Sequence, residues 1–458
     1  MKKSIQVLFA CAALSHLAAM AHAPAAAPLA REQVAAHGAD DVLGMEEPLA
    51  SPAGARALPG RAGPDRPAPA DGTRFTLKHE LSARLHDPQA LSNNRSSVRV
   101  EVEQHFLDNF YVHADVIGTA FWQRDHRARA RDGVFTESTI RDAYLQFSLG
   151  STSIKAGRQM LIWGESDAGA ITDVISPRNF TELFFISLEE ARLSQFMVTL
   201  DQYSPVGDFS LFYTPSARFN RYPEPGTAYY LDPFGGAAQT RTDKHKLREY
   251  GVRWKKTFGN TDLGLMAARL VDNDYALRQE GVLADGRALL VNQAQRFGML
   301  GMTASHAIDG FLLSAEVARK SPRALLDPAT LQPVLKDGID TSLKVEYSLG
   351  GNHAVSVEAV NRHVRNWTAA LAPAPRNANS LVLSWSNTFF NDNLSANWLT
   401  VYNQTHTGYQ HSLFMSYKVN NRFTLNLDAF YLSVKDRDNE LYPYRGQNSA
   451  VLRALYQF

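Results

Sequence analysis

The chain is 458 residues long, with a formal net charge of +1, 45% hydrophobic residues and a single cysteine. That thiol, Cys11, falls in an N-terminal export signal, so the remaining chain excludes a disulfide scaffold, a cysteine-ligated zinc site and a thiol nucleophile. Outside that signal no run of eighteen apolar residues occurs, which excludes an ordinary membrane-spanning helix.

Met1-Lys2-Lys3 is a short basic start, followed by an apolar run from Ile5 to Ala21 that ends in small residues. This pattern predicts a secretory signal peptide over 1–21, cleaved between 21 and 25. Ala21-His22-Ala23 fits an A-x-A site, although Pro24 follows it, and Ala19-Met20-Ala21 fits as well. Residues 22–73 are rich in Ala, Pro, Gly and Arg without periodicity, which predicts a flexible periplasmic segment.

From Arg74 onward the pattern has period two. In Ile339 to Leu349, Ile339, Leu343, Val345, Tyr347 and Leu349 take one face, and Asp340, Ser342, Lys344, Glu346 and Ser348 the other. Eighteen such segments can be counted, starting near 74, 95, 110, 140, 152, 194, 208, 250, 261, 296, 311, 339, 353, 380, 394, 410, 423 and 449. Alternation alone would also suit a soluble sandwich. The connections discriminate: every second one is tight, as at Asp108-Asn109, Phe258 to Asn260 and Asn420 to Arg422. The intervening ones are mostly long, at 125–139, 162–193, 215–249, 272–295, 321–338, 365–379 and 434–448. Short periplasmic turns alternating with long outer loops are the rhythm of a Gram-negative outer-membrane barrel. The expectation is an all-β fold, a transmembrane antiparallel β-barrel of 18 strands over 74–458, located in the cell outer membrane.

Sixteen to eighteen strands enclose a channel too wide for wall side chains alone to fill. Polar strand faces supply the candidate wall: Lys78, Glu80, Arg99, Glu101, Asp115, Asp340, Lys344, Glu346, Glu358 and Arg362, with Arg253, Glu316, Asp428 and Arg453 among further candidates. Their signs nearly cancel, with no dominant ring of one sign, so charge does not name the substrate.

One stretch is denser. Gly164-Glu165-Ser166-Asp167-Ala168 is one residue short of the G-x-S-x-G nucleophile elbow. The elbow needs a helix next, but Ile171 to Pro177 is β-branched and ends in proline. A barrel hydrolase using Ser166 or His411 is therefore the weaker reading, as is a structural barrel that binds a surface through the Tyr- and Phe-containing loop 215–249. The favoured reading is a pore-constricting loop at 162–193, carrying Trp163, Glu165, Asp167, Asp173, Arg178, Glu182, Glu189, Glu190 and Arg192. Simple alternation leaves Arg158 on the lipid side; a bulge near Gly157 or a rim position would reconcile this.

In the last ten residues Ala450, Leu452, Ala454, Tyr456 and Phe458 share a face, opposite Arg453 and Gln457. A terminal Phe on such a strand resembles the insertion signal of outer-membrane barrels, with Tyr456 and Phe458 as the residues read by the barrel assembly machinery. GRQ-x3-WG-x-SD (Gly157 to Asp167), SPRN (Ser176 to Asn179) and LEEARL (Leu188 to Leu193) also form a recognisable series. Together with Asp201 to Leu211 and Pro215 to Gly226, they resemble the signature of a proteobacterial outer-membrane β-barrel family of undefined function. The resemblance implies a channel-like barrel, in a family associated with export systems for lipidic compounds. The partners it implies are outer-membrane lipids and lipopolysaccharide, a small-molecule or lipidic solute and an export-system component. No cofactor, metal or nucleic acid is expected.

Overall fold

The period-two alternation becomes a closed wall in the computed structural model. It describes residues 71–86, 91–129, 133–166, 171–182, 190–232, 237–241, 247–327, 329–350, 352–372, 374–437, 439 and 441–458. The expected signal peptide and nearly all of the 22–73 segment lie outside these residues, as do Asp167 and Glu189. The strands in chain order are β1 (Gly72–Arg84), β2 (Leu91–Phe106), β3 (Phe110–Phe121), β4 (Phe135–Leu149), β5 (Thr152–Gln159), β6 (Gln195–Gln202) and β7 (Asp208–Thr214). After them come β8 (Ala238–Arg241), β9 (Glu249–Phe258), β10 (Thr261–Val282), β11 (Ala288–Ile308), β12 (Phe311–Asp327) and β13 (Gln332–Gly350). The last are β14 (His353–Val364), β15 (Asn377–Phe389), β16 (Leu394–Asn403), β17 (Gly408–Lys418), β18 (Phe423–Val434) and β19 (Ser449–Gln457).

Of these nineteen strands, β8 pairs in parallel with Leu289–Asn292 of β11, at the free edge of a projecting hairpin. The other eighteen are the staves of one antiparallel barrel, closed by β1 against β19 from Thr76↔Gln457 to Arg84↔Ser449. Closure removes the sheet edges and pairs the backbone throughout the wall, as a hydrocarbon surround requires. The side chains sort accordingly. Val98, Leu343, Val345 and Leu427 are exposed on the outer face, while Glu80, Asp115, Asp340, Glu358 and Arg453 are buried on the inner one. Phe75, Tyr456 and Phe458 cluster on the outer face at the tight-turn end, and Tyr402, Tyr409 and Tyr431 gather at the opposite end.

Two expected loops prove to be mostly strand. Asp272-Asn273-Asp274 and Ser321-Pro322-Arg323 look like loop openings, yet the ladders step over them as bulges between Val271 and Tyr275 and between Lys320 and Arg323. Pairing resumes beyond, so β10 and β11 reach 22 and 21 residues and the connections shrink to 283–287 and 328–331. β8, inside the expected loop 215–249, has no alternating signature of its own. A further bulge inserts Arg141 between Asp115↔Asp142 and Val116↔Ile140, and the Arg141 guanidinium reaches Asp115 at 3.3 Å. No bulge occurs at Gly157, where the β4–β5 pairing runs unbroken. Arg158 is instead a rim residue, next to last in β5, and donates to the Ser194 carbonyl at 3.5 Å. Gly157 has φ +147°, and a Cβ there would lie 2.3 Å from the Ala143 oxygen, so glycine is required for β5 to lie against β4.

The inner wall is not uniformly polar. Across β14–β19 it carries Val360, Val382, Leu399, Val401, Phe430, Leu432 and Val451, all buried. These pack in one apolar cluster with Tyr229, Leu441 and Tyr444, which belong to connections rather than strands. The lumen, too wide for wall side chains alone to fill, is thus partly filled by connections that fold inward and cover this arc.

Candidate functional site

The segment between β5 and β6 supplies the densest polar contacts inside the barrel. Beyond Gln159 the chain leaves the wall at Trp163, which is buried edge-on against Phe212 of β7 at 5.2 Å, with the Arg253 guanidinium 5.8 Å from its ring. The next residue, Gly164, allows the segment to fold on itself, since a Cβ there would stand 2.7 Å from Asp173 Cβ.

One wall carboxylate then collects the segment. Glu316 of β12 accepts from the backbone N–H groups of Glu165 and Ser166, the latter at 2.6 Å. It also accepts from the Thr172 N–H at 3.3 Å and the Thr172 hydroxyl at 2.9 Å. Around it, the Glu165 side chain accepts from Lys255 Nζ of β9 at 2.9 Å, and the Ser166 hydroxyl donates to Glu358 of β14. Burial strengthens such charge-assisted bonds and makes each an anchor.

The far part of the segment is tied to the opposite side. Glu182 pairs with Arg95 of β2 and accepts from Asn93 Nδ2 at 3.2 Å, while Glu190 pairs with Lys78 of β1. Burial pushes the Glu182 carboxyl up, but the adjacent Arg95, with His126 and Arg127, outweighs this and holds it well below the usual carboxylate range. Between the ends, Asp173 pairs with Arg192 and lies 3.7 Å from Arg178, so these charges brace the segment against itself. The β7–β9 connection adds a second brace, with Asn220 Oδ1 accepting from the Arg178 N–H at 2.7 Å. The segment thus contacts inward side chains of β1, β2, β9, β12 and β14, on separate parts of the circumference. Beside it a cavity of about 60 Å³ is lined by Lys78, Arg95, Arg127, Glu137, Glu182 and Arg221, among others.

The wall candidates occupy the inner face in pairs. Arg99 meets Asp115 at 2.8 Å and Glu101 at 2.9 Å, and Lys344 meets Glu346 at 3.1 Å. Asp340 is bonded by Lys320 at 2.8 Å and is the cross-strand neighbour of Arg362. Glu80 is held by Arg453 at 2.5 Å, and Glu358 also accepts from Ser342 at 2.5 Å. Sequence reading passed over Arg95, Asp125, Lys320 and Arg127. Arg95 shares a face with Arg99 and Glu101, so strand parity could have found it. Asp125 and Arg127 lie at the short helical turn His126–Arg129, where no period applies.

Ser166 and His411 do not meet. Ser166 lies inside the barrel, whereas His411 is on the outer face of β17, with Nδ1 2.9 Å from the Thr400 hydroxyl. Tyr229, in the loop considered for surface binding, is buried inside, and its carbonyl accepts from the Tyr444 hydroxyl at 3.1 Å.

An eighteen-strand closed barrel with inward-folded connections defines an outer-membrane porin type of fold, and solved structures agree. The chain is similar to Acinetobacter baumannii OccAB2, with 11% identity, 84% of this chain and 97% of that chain covered, and a TM-score of 0.50. It is similar to Pseudomonas aeruginosa OccK2 (OpdF) at 10% identity, with the same coverages and a TM-score of 0.50. Residues 74–439 match the family described as "Protein of unknown function (DUF1302)", and the chain belongs to that family. No curated protein matches the chain.

Proposed function

We propose that the protein is an outer-membrane channel whose passage is narrowed by the segment 162–193. The observation that carries this reading is the anchoring of that segment on both sides of the lumen, to Glu316, Glu358 and Lys255 and to Arg95 and Lys78. A loop held so cannot leave the lumen without breaking several buried charge-assisted bonds. Near-balanced charges on the wall argue for a solute chosen by size and polarity rather than by net charge. The apolar arc over β14–β19 favours a solute with a hydrophobic part, in keeping with a role in moving lipidic or hydrophobic compounds. In this reading the partners are outer-membrane lipids, the assembly machinery that inserts the barrel and an export system that delivers the solute.

The test is single-channel recording in planar bilayers on the full chain and on a variant lacking residues 165–190. Conductance is expected to rise several-fold on deletion. A pore whose conductance is unchanged by deletion would remove the constriction, and no conductance in either form would remove the channel.

A further inference from the structure

The lipid-facing wall should be bulky and apolar all round, yet among the described residues hollows interrupt it. One, of about 680 Å³, lies over β7–β12. Its floor is made by the small cross-strand residues Ala267 and Gly298, and its sides by the exposed Leu211, Val252 and Leu300. Register fixes what stands at its upper end. Arg269 is opposite Gly298 on β11 and Tyr250 on β9, and Arg319 is opposite Leu300. Both arginines therefore share the outer face with the hollow. The Arg269 guanidinium reaches over Gly298, its Nη1 3.9 Å from where a Cβ would be.

The charge there is only partly compensated. Arg319 is half exposed and pairs with Asp337 at 2.9 Å, but Arg365 approaches the same carboxylate at 3.8 Å. Arg269 adds a further positive charge to this face, so three arginines share that one carboxylate. Arg269 stands eight residues along β10 from the tight-turn end, which is roughly 20 Å at about 2.5 Å of rise per tilted residue. An apolar band of about 25 Å ends close to that height. Arginines on a lipid-facing surface are costly at mid-depth and favourable at the headgroup level, where phosphates lie.

From this we propose that the hollow over β7–β12 binds a phosphate-bearing membrane lipid, one acyl chain on Ala267 and Gly298 and its phosphate on Arg269 and Arg319. The proposal rests on the outer-membrane reading given above. Charge complementarity selects the occupant: a neutral chain would leave Arg269 unmatched beside an Arg319 that shares its carboxylate with Arg365, and a free anion would leave the apolar hollow without a role. A second hollow, of about 720 Å³ over β1–β4, is an internal control. Its outer-face lining includes His79, Ser96, Gly118 and Ser138, and no arginine.

The test measures retention of bis-phosphorylated lipid A by the purified full-length barrel in detergent, read by mass spectrometry across a lipid titration. Wild type is expected to bind saturably, and the Arg269→Ala/Arg319→Ala variant at least about ten-fold more weakly. Ala267→Trp, which fills the hollow and keeps both charges, is expected to weaken binding as much. Arg269→Lys/Arg319→Lys is expected to stay within about three-fold of wild type, which separates loss of charge from loss of fold. Ser138→Trp in the control hollow is expected to change nothing. Equal retention by the double alanine variant overturns the proposal, as does equal sensitivity to Ser138→Trp. Release by inorganic phosphate alone would reassign the arginines to a free anion and overturn it too. Retention is read without conductance, so failure here leaves the channel reading to be judged by bilayer recording.

Discussion

The two sides of the lumen are built on opposite principles. Along β18, β19, β1 and β2 the inner face carries a chain of buried charges: Arg453 joins Glu80 to Asp428, and Arg95 joins Glu80, Asp125 and Glu182. Farther from the tight-turn end, over β15–β18, it is largely aliphatic and aromatic, with Val382, Leu399, Val401, Phe430 and Leu432 packed under Tyr229 and Tyr444. The charged side couples the wall to the 162–193 segment through bonds that need both partners. The apolar side holds its connections by area alone and has no directional requirement. The difference teaches where rigidity and where tolerance should lie: removing one member of a buried charge chain strands the others, while trimming an apolar contact leaves only a gap.

The largest effect is therefore expected at Arg453. Arg453→Met leaves Glu80 and Asp428, both almost fully buried, without their shared cation. A destabilisation of about 3–5 kcal/mol is expected, measured by urea unfolding of the barrel in lipid vesicles. A loss under about 1 kcal/mol would show that the charged side is not the rigid one.

On the apolar side Leu432→Ala removes a buried side chain beneath Tyr444 and leaves a cavity. A cost of about 2–4 kcal/mol is expected in the same assay, with conductance unchanged because no anchor of the 162–193 segment is touched. A conductance rise matching that of an anchor variant would erase the distinction between the two sides.

Third comes Glu316, which gathers four donors from the 162–193 segment. Glu316→Gln keeps the size but turns one acceptor into an amide that faces the Thr172 N–H and hydroxyl as a donor. The expected cost is about 1–3 kcal/mol, with larger and noisier conductance as the segment loosens. Steady wild-type conductance in this variant would place the anchor elsewhere.

How much of this was legible in the sequence depended on period. Strand parity separated Lys344, Glu346 and Glu358 from Leu343 and Val345, and the structure places them on opposite faces. The same parity is blind where both faces are apolar. In Leu399-Thr400-Val401 the inner residues are the aliphatic ones and the threonine lies outside with His411, the reverse of the usual order. Nothing in that triplet alone reveals it; the register to Gln410 and Asp428 does. Asp272 to Asp274 misled for a related reason, since composition signals a loop but a bulge serves the ladder equally well. The series from Gly157 to Leu193 was visible as a dense polar run, but its anchors were not. Glu316 and Lys255 belong to strands far along the chain, and only closure of the barrel brings them to Glu165.

The smallest effect at neutral pH, and the most diagnostic in acid, concerns Glu182. Its carboxyl is held below the usual value of 4.5, because Arg95 outweighs the upward push of burial. A group depressed in the folded state contributes stability that is complete above its unfolded value and lost as pH falls toward the folded one. The segment should therefore stay seated at pH 7 and pH 5, and loosen only in acid well under 4.5. Conductance recorded between pH 7 and pH 3 should be flat and then rise, and Glu182→Gln should lack that transition. A transition in the wild type near or above 4.5 would mean that Arg95 does not govern Glu182. The charged side would then be a set of separate pairs rather than one chain running from Asp428 through Arg453, Glu80 and Arg95 to the segment.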